Sequence, residues 1–469
     1  MRRHALLLLC AWLGCAMTTR AADARPPRPN IIFLLADDLG WADVGYHGGK
    51  IKTPHLDKLA AAGAKLEFHY VQPLCSPTRA ALMSGRYPLR HGLQVGVVKP
   101  SMDYGLPLDE RTLPQALKEA GYFTAITGKW HLGHVKPDYL PTRRGFDHQY
   151  GHFNGAIDYF THERDGGLDW HRHDKGLREE GYTTHLLARE AVGIIEKHDT
   201  SRPLFLYVPF NAPHAPYQVP EEYTKPYASE KPTRRNFCGM VVALDEAVGK
   251  IVAAVEKRGL RGNTLFIFSS DNGGVAPGTA ADNGPLRAGK GTVYEGGTRV
   301  PAFATWDGRI KPGAVVNAPM HMVDWYPTLL TLAGVSLKQK HPLDGFNMWP
   351  VIAEGKASPR KEVVHNIAPD LGALRIGDWK LVVNGHRRDS GDVDGRKKGK
   401  QSAEPSGDQV ELFNLASDPY EKSNLAAQNP AKVKELRARY DELARQAAKP
   451  LIHPTPEGFK APRVWGETD

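Results

Sequence analysis

The chain has few cysteines, no long apolar segment beyond its first residues, and no Asn-x-Ser/Thr glycosylation site. Only four cysteines occur in 469 residues, so the fold does not depend on a framework of disulfides. Without a segment of membrane-spanning length we expect no transmembrane helix. The missing glycosylation site argues against a glycosylated eukaryotic secretory enzyme and favours a bacterial protein.

The first 24 residues, MRRHALLLLCAWLGCAMTTRAADA, have the pattern of an export signal. A basic start is followed by an apolar run from Ala5 to Met17 and by a small-residue exit, which predicts a cleaved signal peptide over residues 1–24. Lipid attachment at Cys15 is an alternative, although the residues before it fit a lipidation signal poorly. We therefore expect an exported protein, periplasmic or secreted.

Removal of the leader leaves two cysteines, Cys75 and Cys238. Cys238 lies in an amphipathic helical pattern, where a small buried apolar residue is an ordinary choice. Cys75 has no such explanation. It stands in the stretch CSPTRAALMSGR, in front of what the sequence predicts to be a helix.

The net charge is +9 with a pI near 9.1. The basic residues are spread along the chain and no nucleic-acid motif occurs, so we expect no nucleic-acid partner. An anionic substrate accounts for the excess equally well. The basic stretch from Arg387 to Lys400 is a candidate guide for a polyanion, although charge runs are usually solvated loops.

Four short apolar runs end abruptly in polar groups: NIIFLLADDLG, YFTAITGKWHLG, PLFLYVPFNAPHAP and TLFIFSSDNGG. Continuous apolar runs predict strands buried on both faces. Helical patterns such as PHLDKLAAAGAKL lie between them, so the order of elements predicts an α/β fold with a large sheet between helices. In such sheets function gathers beyond the carboxyl ends of the strands.

The sequence changes character in its last third. ALRIGDWKLVVNG and DQVELFN predict strands of a small antiparallel sheet, and NPAKVKELRARYDELARQAAK predicts a charged surface helix. We expect a catalytic domain over residues 25–347 and a smaller α+β subdomain over residues 348–469. The proline-rich tail from Pro450 is either an extended wrap or a loose end.

Cys75 lies at the predicted start of a helix, where Ser76 fits the N-cap and Pro77 the first helical position. Free backbone N–H groups and the helix dipole favour an anion there, and Arg79 adds a full positive charge. The stretch therefore predicts an anion site with a reactive side chain in it. The alternative is that Cys75 is a small core residue.

Two acidic pairs, Asp37 with Asp38 and Asp271 with Asn272, follow two of the predicted strands. Oxygen ligands without imidazole or thiolate select Ca²⁺ or Mg²⁺ over Zn²⁺. A single pair of this kind is more often a cap or loop start. Two pairs at matching strand ends favour a cation site, with Ca²⁺ ahead of Mg²⁺.

Candidate cations and proton carriers occur at the other strand ends. Lys129 and His131 fall on one side of an extended segment if its period of two continues, and His214 lies between prolines in NAPHAP. Lys290 lies further along the chain. Any one of these side chains is more often structural than catalytic, and their shared position is what favours a common site.

These motifs together resemble the formylglycine-dependent sulfatases of the alkaline phosphatase superfamily. CSPTRAALMSGR is similar to that family's Cys-x-Pro-x-Arg motif, and ADDLGWADVG, GKWHLG, PHAPYQVPEEY, FSSDNGG and GGTRVP follow in the family's order. The similarity runs from Asn30 to Leu425. Stretches such as PLRAGKGTVYEGGTR and HMVDWYPTLLTLAG are most similar to the arylsulfatase B branch, which acts on N-acetylgalactosamine 4-sulfate.

The resemblance implies a sulfatase whose Cys75 is oxidised by a formylglycine-generating enzyme to formylglycine (3-oxoalanine), the nucleophile once hydrated. It implies one Ca²⁺ held by residue 75 together with Asp37, Asp38, Asp271 and Asn272. It further implies the following roles for the remaining side chains. Arg79 and Lys129 would position the nucleophile and neutralise charge, Lys290 would contact the sulfate, His214 would protonate the leaving sugar oxygen, and His131 would take the proton that lets sulfate depart.

The expected substrate is a sulfated oligosaccharide or polysaccharide. His365, Asn366 and the loop FTHERDGGLDWHRHD resemble the variable rim of the family's sugar pocket, although His365 could equally be a packing residue between domains. Two other functions stay open. One is a phosphomonoester or phosphonate hydrolase of the same superfamily, and the other is a catalytically dead protein that binds sulfated glycans.

Overall fold

The computed structural model describes residues 28–275, 280–368, 370–385 and 408–467, without the side chains of residues 366–368. The predicted leader at 1–24 and the basic stretch from Arg387 to Lys400 lie outside the described residues.

A large mixed sheet forms the centre of the fold, as the apolar runs predict. Within the described residues it has ten strands in the order β13-β2-β12-β11-β1-β10-β4-β5-β8-β9. These strands are β1 (Asn30–Ala36), β2 (Ala64–Leu66), β4 (Phe123–Lys129), β5 (His148–His152), β8 (His171–Arg172), β9 (Lys175–Gly176), β10 (Leu204–Pro209), β11 (Thr264–Ser270), β12 (Phe303–Thr305) and β13 (Ala314–Val316). Short pairs outside it are β3 (His69–Tyr70) with β14 (Met320–His321) and β6 (Glu163–Arg164) with β7 (Gly167–Leu168).

The five central strands, β11, β1, β10, β4 and β5, run parallel. Their carboxyl ends therefore meet at one edge of the sheet. All seven residues of β1 are buried, which is what a central strand covered on both faces requires.

Helices cover both faces of this sheet. The helices of the described residues are α1 (Pro54–Ala61), α2 (Cys75–Ser84), α3 (Leu113–Glu119), α4 (Thr183–Lys197), α5 (Pro232–Lys257), α6 (Glu295–Thr298), α7 (Trp325–Leu332), α8 (Trp349–Glu354) and α9 (Pro430–Arg445). Ile31 and Phe33 of β1 share a core with α2, α3 and α7. Ile32 and Leu34 point to the other face, into a core with α1, α4 and α5 that includes Cys238. This alternation confirms the predicted α/β sandwich.

A second, antiparallel sheet follows, in the order β15 (Glu362–Ala368), β16 (Leu371–Ile376), β17 (Trp379–Val383) and β18 (Val410–Asn414). Helix α9 packs against it through three buried side chains, Leu436, Tyr440 and Leu443. The C-terminal sheet and helix are therefore as the sequence predicts. The domain boundary at 347–348 stays a prediction.

The tail beyond α9 is a wrap rather than a loose end. The Leu451 N–H donates to the Gly92 carbonyl at 2.8 Å, and Trp465 is only 1% exposed. Among the described residues, no helix is both long enough and apolar enough to cross a membrane.

Candidate active site

The side chains that follow the parallel strands meet beyond the carboxyl edge of the sheet. Asp37 and Asp38 follow β1, Lys129 ends β4, and Asp271 follows β11. The register brings them together: Ala36 pairs with Ser270, and the Asp37 N–H donates at 3.1 Å to the carbonyl of Ala212, in the segment that follows β10. Strand ends as far apart in sequence as Asp38 and Asp271, which are separated by 233 residues, thus supply one centre.

Cys75 is the first residue of α2 and lies in this centre, with 2% of its surface exposed. The helix begins two residues earlier than the sequence predicts, because Leu74 rather than Ser76 takes the N-cap position, with an extended backbone. Ser76 therefore does not cap the helix. Its hydroxyl instead donates to the His131 carbonyl at 2.9 Å, which ties the Cys75 turn to the end of β4.

Three buried cations bind the three carboxylates. Arg79 donates to Asp271 Oδ2 through Nε at 3.0 Å and through Nη2 at 2.8 Å. The Lys129 ammonium lies 2.6 Å from Asp37 Oδ2. The Lys290 ammonium lies 2.8 Å from Asp38 Oδ1 and 3.0 Å from Oδ2. All six groups are buried or nearly so, which makes their electrostatic interactions much stronger than in water.

Each of the two candidate proton carriers, His131 and His214, has one ring nitrogen at a backbone carbonyl and a second that is available for proton transfer. His131 Nε2 lies 3.1 Å from the Val98 carbonyl and must donate to it, so Nδ1 carries the lone pair. That Nδ1 is buried and has no hydrogen-bond partner among the described residues. His214 Nδ1 lies 2.5 Å from the Ala215 carbonyl, and its Nε2 lies 3.7 Å from Asp38 Oδ2.

His131 reaches the site differently from the sequence prediction. The period of two stops at the end of β4, because His131 adopts a left-handed backbone with φ of 59°. Trp130 does turn away, into the core, where its indole donates to the Tyr139 carbonyl at 2.9 Å. A histidine in this backbone region is uncommon and is held there by its surroundings.

Burial and the local charges set the protonation of the site. Burial lowers the pKa of His131 well below its usual range, and the Lys129 and Arg79 cations lower it further, so the imidazole is neutral. Burial also raises the pKa of Cys75, against the opposing influence of Lys129 and Lys290. The unmodified thiol is therefore a poor nucleophile in this environment.

The carboxylates differ among themselves. Burial raises the pKa of Asp271, and the neighbouring charge of Asp37 raises it further. For Asp38, burial acts in the same direction, but Lys290 and His214 outweigh it and hold the pKa below its ordinary value. Several negative groups share a small dry volume, which is the arrangement that a bound cation stabilises.

The donor set fits a hard divalent cation. One oxygen of Asp37 and the amide oxygen of Asn272 are buried without hydrogen-bond partners among the described residues. The Asn272 amide nitrogen donates to Asp38 Oδ1 at 2.7 Å, which orients its free oxygen. Single ligand atoms of Asp37, Cys75 and Asp271 lie within 4.8 Å of one another. Carboxylate and amide oxygens are ligands that Ca²⁺ and Mg²⁺ prefer.

His365 does not share the contacts of this centre. His365 is fully buried, its Nδ1 lies 3.2 Å from the Val71 carbonyl, and its ring packs on Tyr70. Burial lowers its pKa to about 3. These contacts favour the packing interpretation of His365, and the side chain of Asn366 lies outside the described residues.

Sequence reasoning included Asp169 only as one residue of the candidate rim loop FTHERDGGLDWHRHD, and it did not name His152. His152 pairs with Lys129 across β5 and β4, so its side chain lies on the same face of the sheet as that lysine. Asp169 accepts the backbone N–H groups of Phe153 and Asn154, the two residues that follow β5. The local sequence did not indicate the role of either residue, because both act through chain segments that only the fold brings together.

Comparison with known proteins identifies the family of this chain. A family model described as Sulfatase matches residues 29–335, and one described as the C-terminal region of aryl-sulfatase matches residues 358–465. The chain belongs to the sulfatase family. It is therefore a sulfuric ester hydrolase.

Relatives and solved structures agree with this assignment. The sulfatase is 37% identical to mouse arylsulfatase J over 95% of this chain and 81% of that protein. It is 34% identical to mouse N-acetylgalactosamine-6-sulfatase over 80% of this chain and 75% of that protein. The crystal structure of Ps i-CgsB in complex with k-i-k-neocarrahexaose shares 33% identity, with a TM-score of 0.80, over 90% of this chain and 94% of that one.

Proposed function

We propose that this sulfatase removes sulfate from a sulfated glycan, with N-acetylgalactosamine 4-sulfate or a closely related sulfated sugar as its substrate. The observation that carries the proposal is the buried set of Arg79, Lys129 and Lys290 around Cys75. A sulfate ester is an anion that gains charge on its bridging oxygen as the bond breaks, and buried cations offset that charge strongly.

The sugar part of the proposal rests on likeness. Stretches of the sequence are similar to an N-acetylgalactosamine 4-sulfatase branch, one relative is an N-acetylgalactosamine-6-sulfatase, and a similar structure binds a neocarrahexaose. The first two names point to sulfated N-acetylgalactosamine, and the third points to an oligosaccharide ligand. The position of the sulfate differs between the first two, so that position is the part that experiment must decide.

We propose that the site requires formylglycine at position 75 and one Ca²⁺. Asp37, Asp38, Asp271 and Asn272, together with residue 75, would hold the ion, and Mg²⁺ is the alternative. When present, the two groups supply an activated hydroxyl nucleophile and a Lewis acid for the sulfate oxygens. A formylglycine-generating enzyme is the maturation partner that this proposal requires.

The remaining side chains have roles that their contacts support. Arg79 and Lys129 orient residue 75, since Arg79 Nη1 also donates to the Lys129 carbonyl at 2.8 Å. Lys290 neutralises a sulfate oxygen. His131 accepts a proton at Nδ1, the nitrogen with a free lone pair. His214 donates a proton from Nε2 to the leaving sugar oxygen, because its other nitrogen is held by a carbonyl.

His214 can be tested by changing the leaving group. A general acid matters most when the departing oxygen is basic, as in a sugar alcohol, and least when it is an activated phenol. We expect His214→Ala to lose about 100-fold or more on a sulfated sugar and much less on a nitrophenyl sulfate. Equal losses on both substrates would remove His214 from the acid role.

The phosphatase alternative is less well supported by the donor set. Among the described residues, groups of three or more potential ligands from His, Cys, Asp and Glu all include Asp37 and fall in this one centre. Two-metal phosphatases need a second set of ligands about 4 Å away. We expect an aryl sulfate to be turned over far faster than the matching aryl phosphate, and the reverse order would favour the phosphatase.

The substrate is tested with defined sulfated disaccharides. Matured enzyme is incubated with galactosamine 4-sulfate, galactosamine 6-sulfate and other sulfated hexose units, and free sulfate is measured by ion chromatography. We expect release from the 4-sulfated galactosamine unit. If that unit is untouched while another is desulfated, the sugar assignment is wrong. Sulfate release from any unit by this chain, and not by Cys75→Ala, excludes a dead glycan-binding protein.

We also propose that the protein is exported. The support is the leader pattern over residues 1–24, and periplasmic or secreted location in a bacterium follows from it. Expression of the full chain with N-terminal sequencing of the product tests this. Cleavage after the Ala22–Ala24 region is expected, and a retained leader in an active enzyme would contradict export by this signal.

A further inference from the structure

Asp169 is a buried carboxylate that belongs to no ion pair of the catalytic centre. Its exposure is 0%. Oδ1 accepts the N–H of Phe153 and Oδ2 accepts the N–H of Asn154, both at 2.9 Å. Burial raises its pKa, but His171, His152 and the backbone donors outweigh this and leave the pKa below its ordinary value. The carboxylate is therefore charged at neutral pH, and both of its oxygens fix one short piece of backbone.

That piece of backbone is the direct support of His131. The Trp130 N–H donates to the His152 carbonyl at 2.9 Å, and the His131 N–H donates to the Phe153 carbonyl at 3.0 Å. His131 has a left-handed backbone, so these bonds hold it in a conformation that an isolated chain rarely adopts. Its own carbonyl then accepts the hydroxyl of Ser76, next to Cys75.

The C-terminal tail holds Asp169 from the other side. The Leu168 N–H donates to the Arg463 carbonyl at 3.1 Å and the Trp465 N–H donates to the Leu168 carbonyl at 2.9 Å, as in a short parallel pairing. The Trp465 carbonyl lies 2.7 Å from His171 Nε2. Residues 168 and 171 flank Asp169, so the tail fixes the stretch that carries the carboxylate.

The tail is also fitted closely to Phe153. Trp465 is 1% exposed and its indole donates to the Arg164 carbonyl at 2.8 Å. Gly466 follows with φ of 76°, and a Cβ at that position would lie 2.7 Å from the Phe153 ring. Phe153 stacks on His171 with ring centroids 4.1 Å apart. Phe153, whose carbonyl accepts the His131 N–H, is thus packed against both the tail and His171.

We propose that Asp169 is a positioning residue for sulfate ester hydrolysis. It fixes the Phe153 carbonyl and thereby the position of His131 beside Cys75, and residues 463–466 of the tail keep Asp169 in place. The inference rests on the proposed role of His131. Misplacement of a catalytic group by about 1 Å costs up to about 100-fold in rate, so the carboxylate should act on turnover more than on binding.

Two substitutions of Asp169 should lower the rate of hydrolysis to different extents. Asp169→Asn keeps one acceptor oxygen and presents an N–H₂ group to the second backbone donor, and Asp169→Ala keeps neither acceptor. We expect kcat on an aryl sulfate to fall about 10-fold for the first and about 100-fold for the second. KM and the inhibition constant of free sulfate should change less than about 2-fold, because Lys129 and Lys290 are untouched.

Asp245 provides a matched control. It is 1% exposed and its two oxygens accept the successive backbone N–H groups of His55 and Leu56, at 3.2 and 2.8 Å. Asp245→Asn should leave kcat per folded molecule unchanged, whatever its effect on the melting temperature. If Asp169→Asn and Asp245→Asn have the same kcat, Asp169 is structural only and the proposal fails.

A tail variant covers the case in which the Asp169 variants fail to fold. Trp465→Ala leaves Asp169 intact but removes the indole that anchors the tail at the Arg164 carbonyl, so kcat should fall several-fold with KM unchanged. Hydrogen exchange should quicken at the amides of His131, Phe153 and Asn154. Unchanged exchange at these amides together with unchanged kcat would overturn the proposal. Rates are measured relative to wild type on an aryl sulfate, so a wrong sugar assignment does not affect the result, and a wild type without activity on any sulfate ester would instead contradict the proposed function.

Discussion

Binding of Ca²⁺ at the acidic pairs should stabilise the fold, and this can be measured without turnover. The site holds three buried carboxylates. One oxygen of Asp37 and the amide oxygen of Asn272 have no hydrogen-bond partner among the described residues. An ion that binds only the folded state adds about 2.7 kcal/mol to the free energy of unfolding at a concentration 100 times its Kd.

The expected shift in melting temperature follows from chain length. At about 2.1 cal/mol/K per residue, a chain of 469 residues has an unfolding entropy of about 1 kcal/mol/K. A stabilisation of about 2.7 kcal/mol thus raises the melting temperature by about 3 °C. Since a flexible carboxylate and amide set suits the larger ion, Mg²⁺ should give a smaller shift at the same concentration.

Differential scanning fluorimetry after chelation, with Ca²⁺ or Mg²⁺ added back, is the assay. Asn272→Ala removes one of the two free oxygens without breaking an ion pair, so it should lose most of the Ca²⁺ shift. Asp245→Asn, which lies outside the site, should keep the full shift. The reasoning is refuted if Ca²⁺ leaves wild type unchanged, or if Asn272→Ala responds as fully as Asp245→Asn.

Three further predictions concern single substitutions. Cys75→Ala should fold as wild type, with a normal near-ultraviolet circular dichroism spectrum, yet release no sulfate; measurable turnover would contradict the role of residue 75. Burial raises the pKa of Asp245 to about 6, so the folded state holds a proton that the unfolded state releases above pH 4; the free energy of unfolding should decline from about pH 4 to pH 6 by up to about 3 kcal/mol. This decline should be absent from urea titrations of Asp245→Asn, and an equal decline there would contradict it. Lys380→Met should lower the free energy of unfolding by about 3–5 kcal/mol, because the Lys380 ammonium lies 2.8 Å from Glu295 and 2.9 Å from Glu421 and all three are buried. A decrease below about 1 kcal/mol in denaturant unfolding would show that the two carboxylates do not need the lysine.

The strand ends and the helix start could be predicted from sequence because their signals are local. An apolar run that stops at Asp37 or Asp271 predicts a strand and its edge, and the parallel arrangement then predicts that the two acidic pairs meet. The start of α2 at Cys75 was predictable to within about two residues. These short-range patterns are enough to predict that the acidic pairs meet in one candidate site.

The supports of the centre could not be predicted in the same way. Ser76 looks like a helix cap in sequence, yet it bonds the carbonyl of His131, which lies 55 residues away. His171 meets the tail at Trp465 across 294 residues. Such contacts depend on how β5, the loop after it and the tail pack together, and no local propensity encodes that packing.

His365 shows the limit of similarity in the same terms. Its sequence neighbourhood is similar to a sugar-pocket rim, but burial and the Val71 carbonyl place it in the joint between the sheets. A pattern of residues therefore predicted which side chains meet in the candidate site, where chemistry restricts the choice of side chain. It is a weaker guide to the rim, where packing and recognition use the same residue types.

The central claim is that Cys75 becomes the nucleophile of a sulfate ester hydrolase. Its most direct test is to express the chain with graded amounts of a formylglycine-generating enzyme and to compare, in each preparation, the fraction of Cys75 converted, by peptide mass analysis, with sulfate release from an aryl sulfate. We predict that activity rises in proportion to conversion and vanishes when the cysteine is wholly unmodified. Full activity in a preparation whose Cys75 is entirely unmodified would contradict the account.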